Sequence, residues 1–167
     1  MSKHLSYDPK YALNAICPYF TMFPLEFPFK VLKKHKQTAP VILDPFCGRG
    51  TTIYAAREMG LPSWGIDTSP IAVAIAKAKL ASSKKDSVIR LAKRLIAIEP
   101  QEIPTGRFFH KAYSSQTLQV VCALREGLLN LKRETDTAIL RRAGAVGCLN
   151  GPLNKDVNSA SYFSNQL

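Results

Sequence analysis

The sequence predicts an α/β fold: one β-α-β-α unit followed by a helical insertion or appendage. Three observations carry that prediction. An aliphatic run, VILDPF from Val41, stops at an Asp-Pro break. A glycine-bearing turn, CGRGTT, follows it and opens a helical stretch. A second strand-turn-helix pattern, SWGIDTSPIAVAIAKAK from Ser63, comes close behind.

Taken in order, residues 1–40 are irregular. Prolines at Pro9, Pro18, Pro24 and Pro28 interrupt the aromatic-rich CPYFTMFPLEFPFK, a short helix is expected after Pro24, and a basic stretch, KVLKKHK, closes the segment. Residues 41–82 form the β-α-β-α unit. Its first strand holds three consecutive aliphatics, two of them β-branched, and ends where proline cannot continue a ladder. The helix from Thr51 to Met59 is stopped by Gly60 and Pro62. SWGID is the second strand. Ser69 is placed to cap the second helix, with Pro70 in its first turn. Two strands joined by so short a crossover must lie parallel, with the helix packed over them by a right-handed connection. Residues 83–150 read as helices: Asp86 opens SVIRLAKRLIAI, Ser114 or Ser115 opens QTLQVVCALREGLLNL, and Asp136 opens TAILRRAGAVGCL, whose small residues permit close packing. Pro100 and Pro104 mark a connector. Residues 151–167 are a polar tail carrying Tyr162 and Phe163.

Composition narrows the function. Of 167 residues, 46% are hydrophobic, enough for a sizeable core, and the formal charge of +11 favours a polyanionic partner, because a basic surface gains affinity by releasing counterions from phosphates. No apolar stretch approaches the roughly 18 residues that span a bilayer, and MSKHLSYDPK lacks the apolar core of a signal peptide, so a cytoplasmic protein without a membrane partner is expected. Cys17, Cys47, Cys122 and Cys148 are widely spaced, which gives neither a metal pair nor a disulfide framework. His4, His35 and His110 are isolated, so no metal site is expected.

The turn DPFCGRGTT is the centre of the chemistry. A strand ending at Asp44 and a helix opening at Thr51 present free N–H groups and a positive dipole end to an anionic group. The spacing argues against two common ligands. A phosphate-binding loop needs a lysine after its last glycine, but Thr51 and Thr52 follow Gly50; a dinucleotide fingerprint needs a third small residue where Ile53 stands. Asp67, ending the second strand, is placed to accept both hydroxyls of a ribose. A nucleoside without pyrophosphate satisfies both facts. S-adenosylmethionine has that shape: a ribose for Asp67, a carboxylate for the glycine turn, and an ammonium for Asp44.

These residues carry a resemblance. DPFCGRGTT followed by GIDTSPIAVAIAKAK resembles the cofactor-binding segment of the DNA methyltransferases that modify exocyclic amino groups, a branch of the class I S-adenosylmethionine-dependent fold, which is Rossmann-like. The resemblance implies a cofactor pocket to which the segment Pro18 to Pro24, with Tyr19, Phe20, Phe23 and Pro24, contributes. It places Asp44, Pro45, Phe46, Gly48, Gly50 and Thr51 around the methionine part and Asp67 on the ribose. It also implies DNA as partner, through which KVLKKHK, SSKKD, Arg90, Lys93, Arg94 and RRAG are candidates to track the backbone. The AYSSQTLQVVCALREGL and GPLNKDVNSASYFSNQ stretches resemble an insertion seen in some bacterial and phage-type DNA methylases.

One part of that family's pattern is missing. Its catalytic loop, (D/N/S)PP(Y/F/W), has no counterpart here, since the sequence contains no Pro-Pro pair. NGPL from Asn150 lacks the aromatic and is rejected. No catalytic residue is therefore assigned. Cys47 is separated from Pro45 by Phe46, unlike a ring-carbon methylation nucleophile, and is read as packing. The expectation is a truncated enzyme or half of a split one whose complementary methyltransferase half supplies the loop and the remaining strands. The competing expectation is a basic nucleic-acid-binding module without cofactor or catalysis.

Overall fold

The computed structural model describes residues 9–17, 23–38 and 41–148. The chain divides into two compact units, residues 82–142 forming one and the residues on either side forming the other.

In the first unit a 3-10 helix, Pro9–Ala15, precedes α1, Glu26–His35. The helix expected after Pro24 is thus ten residues long. Strand β1, Ile42–Asp44, leads through the glycine turn to α2, Thr51–Glu58; β2, Ser63–Gly65, leads to α3, Pro70–Leu80. The strands are parallel, with Leu43 beside Trp64 and Asp44 beside Gly65. Ser69 caps α3 as its position predicts, its hydroxyl accepting the Ala72 N–H at 3.4 Å. Leu25, Leu32, Tyr54, Ala55 and Ala56 form the main core, against which Ile42 and Phe29 pack. Alternation along the strands therefore sends Ile42 inward and Leu43 outward. The outer face is bare: Leu43 is 61% and Trp64 70% exposed, and Val41 and Ile66 share that exposure. The β-α-β-α unit is present as predicted; among the described residues the sheet has two strands, not the wider array of a complete Rossmann-like domain.

The second unit is helical: α4, Lys85–Ile96; α5, Arg107–Ala112; α6, Ser115–Leu129; and α7, Asp136–Cys148, whose last turns lie beyond the unit's boundary. Leu91 and Leu95 of α4 pack with Leu128 and Ala138. Ser114 caps α6, accepting the Thr117 N–H at 3.2 Å. Two expected caps are displaced. Helix α4 begins after Lys84, so Asp86 sits inside the first turn, where its charge complements the helix dipole without capping. At α7 the capping oxygen is that of Thr135, which accepts from Ala138 N, while Asp136 accepts the Ser82 N–H at 2.8 Å. Helix α5 is an element that periodicity did not predict.

No helix among the described residues is long and apolar enough to cross a membrane.

Candidate functional site

The site is built where β1 and β2 end. Past Asp44 the chain turns, and the Phe46 N–H donates back to Asp44 Oδ1 at 3.2 Å. The ladder then continues irregularly: Ile66 N–H donates to the Asp44 carbonyl and Cys47 N–H to the Ile66 carbonyl, both at 2.9 Å. The decisive contact follows. The Gly48 N–H donates to Asp67 Oδ2 at 2.8 Å, and the Ser69 N–H donates to Asp67 Oδ1 at the same distance. Asp67 thus fastens the glycine turn to the end of the second strand. These two bonds hold its carboxyl below the ordinary aspartate range, Ser69 contributing most and Gly48 next. An ionised carboxylate offers about four lone-pair sites, so acceptor capacity is left for a ligand.

The two glycines of the turn differ in purpose. Both have positive φ, 49° at Gly48 and 73° at Gly50. A Cβ on Gly50 would lie 2.9 Å from the Ala76 Cβ, so this glycine lets the loop close onto α3. A Cβ on Gly48 would meet nothing within 4 Å, which leaves open space over the backbone beside Asp67. Thr51, at the start of α2, is buried, whereas the Phe46 ring is 88% exposed. Cys47 is buried with Ile53 and Ala76. Burial pushes its thiol up from the ordinary range, and the neighbouring carboxylates of Asp44 and Asp67 push it further. A thiol held protonated is no nucleophile, in agreement with its reading as packing. Asp44 ends β1 and Asp67 follows β2, at the same end of the parallel pair.

Residues 2–78 match the family model described as DNA methylase. This part of the chain is similar to the DNA methylase family. A relative named the type II methyltransferase M.MjaII, from Methanocaldococcus jannaschii, is 38% identical over 84 residues, which are 50% of this chain and 15% of that protein. The chain therefore spans a small fraction of the relative's length. No solved structure matches the chain. The DNA methylase match ends just before the helical unit that begins at Ser82.

Within the methylase segment the structure brings together Asp44, Phe46, Gly48 and Asp67, with Pro45 exposed beside Phe46, and seats Gly50 and Thr51 on the packing side of the turn. Phe23 stands edge-on to Phe27, ring centroids 5.5 Å apart, and Pro24 accepts the Phe27 N–H through its carbonyl. Tyr19 and Phe20 lie outside the described residues, as do His4, NGPL, Tyr162 and Phe163. Among the described residues no group of three or more His, Cys, Asp or Glu is placed to hold a metal ion.

Sequence reasoning missed what lies beneath the turn. Arg49, between the two glycines, is buried and donates through Nη2 to the Asn14 carbonyl. Lys79 of α3, with no exposed surface, donates through Nζ to Asn14 Oδ1 at 2.7 Å and lies 5.8 Å from the centroid of the Tyr54 ring. Burial, aided by the charge of Arg49, lowers its pKa to about 7. The signal was in the spacing: Ala72, Ile75, Ala76 and Lys79 fall on one buried helical stripe. Arg57 extends this scaffold by donating to the Lys79 carbonyl.

Proposed function

We propose that the methylase segment is the cofactor-binding part of an S-adenosylmethionine-dependent DNA methyltransferase acting on an exocyclic amine of adenine or cytosine. The observation that carries this reading is the Gly48 to Asp67 hydrogen bond, which unites residues 19 apart into one polar turn with open space above it. The residues fit the cofactor. Asp67 retains acceptor capacity for ribose hydroxyls, Asp44 is an acceptor for the ammonium, and the turn at the start of α2 suits a carboxylate. Tyr19, Phe20, Phe23, Pro24 and Phe46 would line the methionine end, with Pro45 shaping the turn. The bound cofactor would supply an electrophilic methyl group. These residues bind and orient, and the target amine would be held by a catalytic loop outside these 167 residues.

The bare sheet face supports a complementary methyltransferase half. Parallel sheets are normally covered on both faces, whereas Leu43 and Trp64 are exposed as neighbours on the outer face. In this reading that half adds strands and the missing loop, and transfer follows once the target base is flipped from the duplex.

Titration of the folded chain with S-adenosylmethionine tests the proposal. Saturable binding is expected, weakened roughly tenfold or more by Asp67→Ala, the range for hydrogen bonds to a charged group. A folded protein that shows no heat of binding contradicts it. The +11 charge favours the second reading, a nucleic-acid-binding module without cofactor; salt-sensitive DNA binding with no cofactor response would establish that reading instead.

A further inference from the structure

The unit of residues 82–142 contains a cavity of about 610 Å³ between α4 and the segment joining α6 to α7. Its rim is cationic: Arg90 and Arg94 from α4, Lys132 and Arg133 from the connecting segment. Leu91 and Leu131 supply the apolar part of the lining. No carboxylate lines it, and the acidic side chains of the adjoining segment are turned to other work. Glu134 is paired with Arg142 at 2.7 Å, and Asp136 accepts the Ser82 N–H. Arg90 reaches only the Ser87 hydroxyl, at 3.3 Å, and Arg94, Lys132 and Arg133 have no carboxylate within ion-pair distance among the described residues.

Such an arrangement opposes folding. Arg90 and Arg94 are one helical turn apart, a like-charge spacing that destabilises a helix, and packing brings two more cations from a distant segment toward them. Neighbouring acids would relieve the repulsion, yet none lines the cleft. A ligand with several anionic groups relieves it instead. Guanidinium forks suit phosphate oxygens, and the absence of aromatic side chains from the lining removes any platform for stacking a base. A cleft of this kind reads backbone charge rather than sequence.

We propose that this cleft grips backbone phosphates of duplex DNA, positioning the nucleic acid independently of the glycine turn. The choice of DNA rests on the methyltransferase reading above. The experiment therefore contains no cofactor, so that a failed cleft and a failed cofactor site are told apart. Binding of the full chain to a labelled DNA duplex is followed by anisotropy at increasing salt. Arg94→Gln/Lys132→Gln/Arg133→Gln is expected to weaken binding roughly tenfold or more at low salt, and to flatten the log-log salt slope by about 0.9 for each phosphate no longer neutralised. The charge-matched control Arg107→Gln/Lys111→Gln/Arg125→Gln, on α5 and α6, is expected to keep the wild-type slope. Lys132→Gln alone, an exposed change outside any helix, is expected to flatten the slope by about 0.9, and it decides the matter if the triple variant does not fold. Equal losses in the two triple variants overturn the proposal. Binding of inorganic phosphate or pyrophosphate without duplex binding also overturns it, and assigns the cleft to a small phosphorylated ligand.

Discussion

The two units treat positive charge in opposite ways. The first unit buries Arg49 and Lys79 under its glycine turn and binds both to Asn14, whereas residues 82–142 arrange Arg90, Arg94, Lys132 and Arg133 around an open cleft. A buried cation is expensive to desolvate and is tolerated only where hydrogen bonds fix it, so it serves as a rigid support. A displayed cation keeps its water and stays available to a partner. Asn14 in the 3-10 helix, Arg49 in the turn and Lys79 in α3 are thereby locked together, and the turn that carries Gly48 inherits a fixed position.

The largest test of this contrast is steric. Gly50→Ala forces an alanine into φ 73° and drives its Cβ against Ala76, whose Cα would stand 3.0 Å away and cannot swing aside. A loss of about 2–4 kcal/mol is expected from the combined left-handed strain and overpacking, read by urea denaturation. Tolerance of alanine there would show that the loop is not clamped to α3.

Next comes the pH dependence of the buried lysine. The unfolded Lys79 titrates near 10.5 and the folded one near 7, so between those values the unfolded state holds a proton that the folded state lacks. Stability should therefore rise with pH from about 7 toward 10, at up to about 1.4 kcal/mol per pH unit, with the full penalty present below pH 7. Lys79→Met should remove this rise. An unchanged profile in that variant would mean that the ammonium is not confined.

The smallest effect belongs to the second unit. A Cβ on Gly127 would lie 2.7 Å from Leu95 Cδ2 and 3.1 Å from Ile98 Cδ1, both ends of flexible side chains. Alanine also improves helix propensity in the last turn of α6, offsetting the crowding, so Gly127→Ala should change stability by about 1 kcal/mol or less. A loss as large as that of Gly50→Ala would erase the distinction between a clamped loop and an adaptable helix pair.

Much of this architecture is local and was legible. Asp-Pro, Gly-Pro spacing and the Ser69-Pro70 pair delimit β1, α2, β2 and α3 because each breaks or starts an element by its own covalent geometry. The place of Asp67 just past the second strand was also legible. Its bond to Gly48 was not, since only strand pairing brings residues 48 and 67 together. Helix α5 escaped because RFFHKA is too short to show a period and follows Gly106 without a side-chain cap. The shift from Asp86 to Lys84 at the start of α4 shows that an acidic first turn signals a helix better than it locates the first residue. The cleft was invisible for a further reason: Lys132 and Arg133 approach α4 only because Leu91, Leu95 and Leu128 pack together.

The amide NMR spectrum of the chain during titration with S-adenosylmethionine probes the polar turn most sharply. Saturable shifts are expected at Gly48, Asp67 and Ser69, whose amides and carboxylate define that turn, while the amides around Lys132 stay unmoved. Shifts confined to residues 82–142, or none at saturating cofactor in the folded protein, would contradict a cofactor site at the ends of β1 and β2.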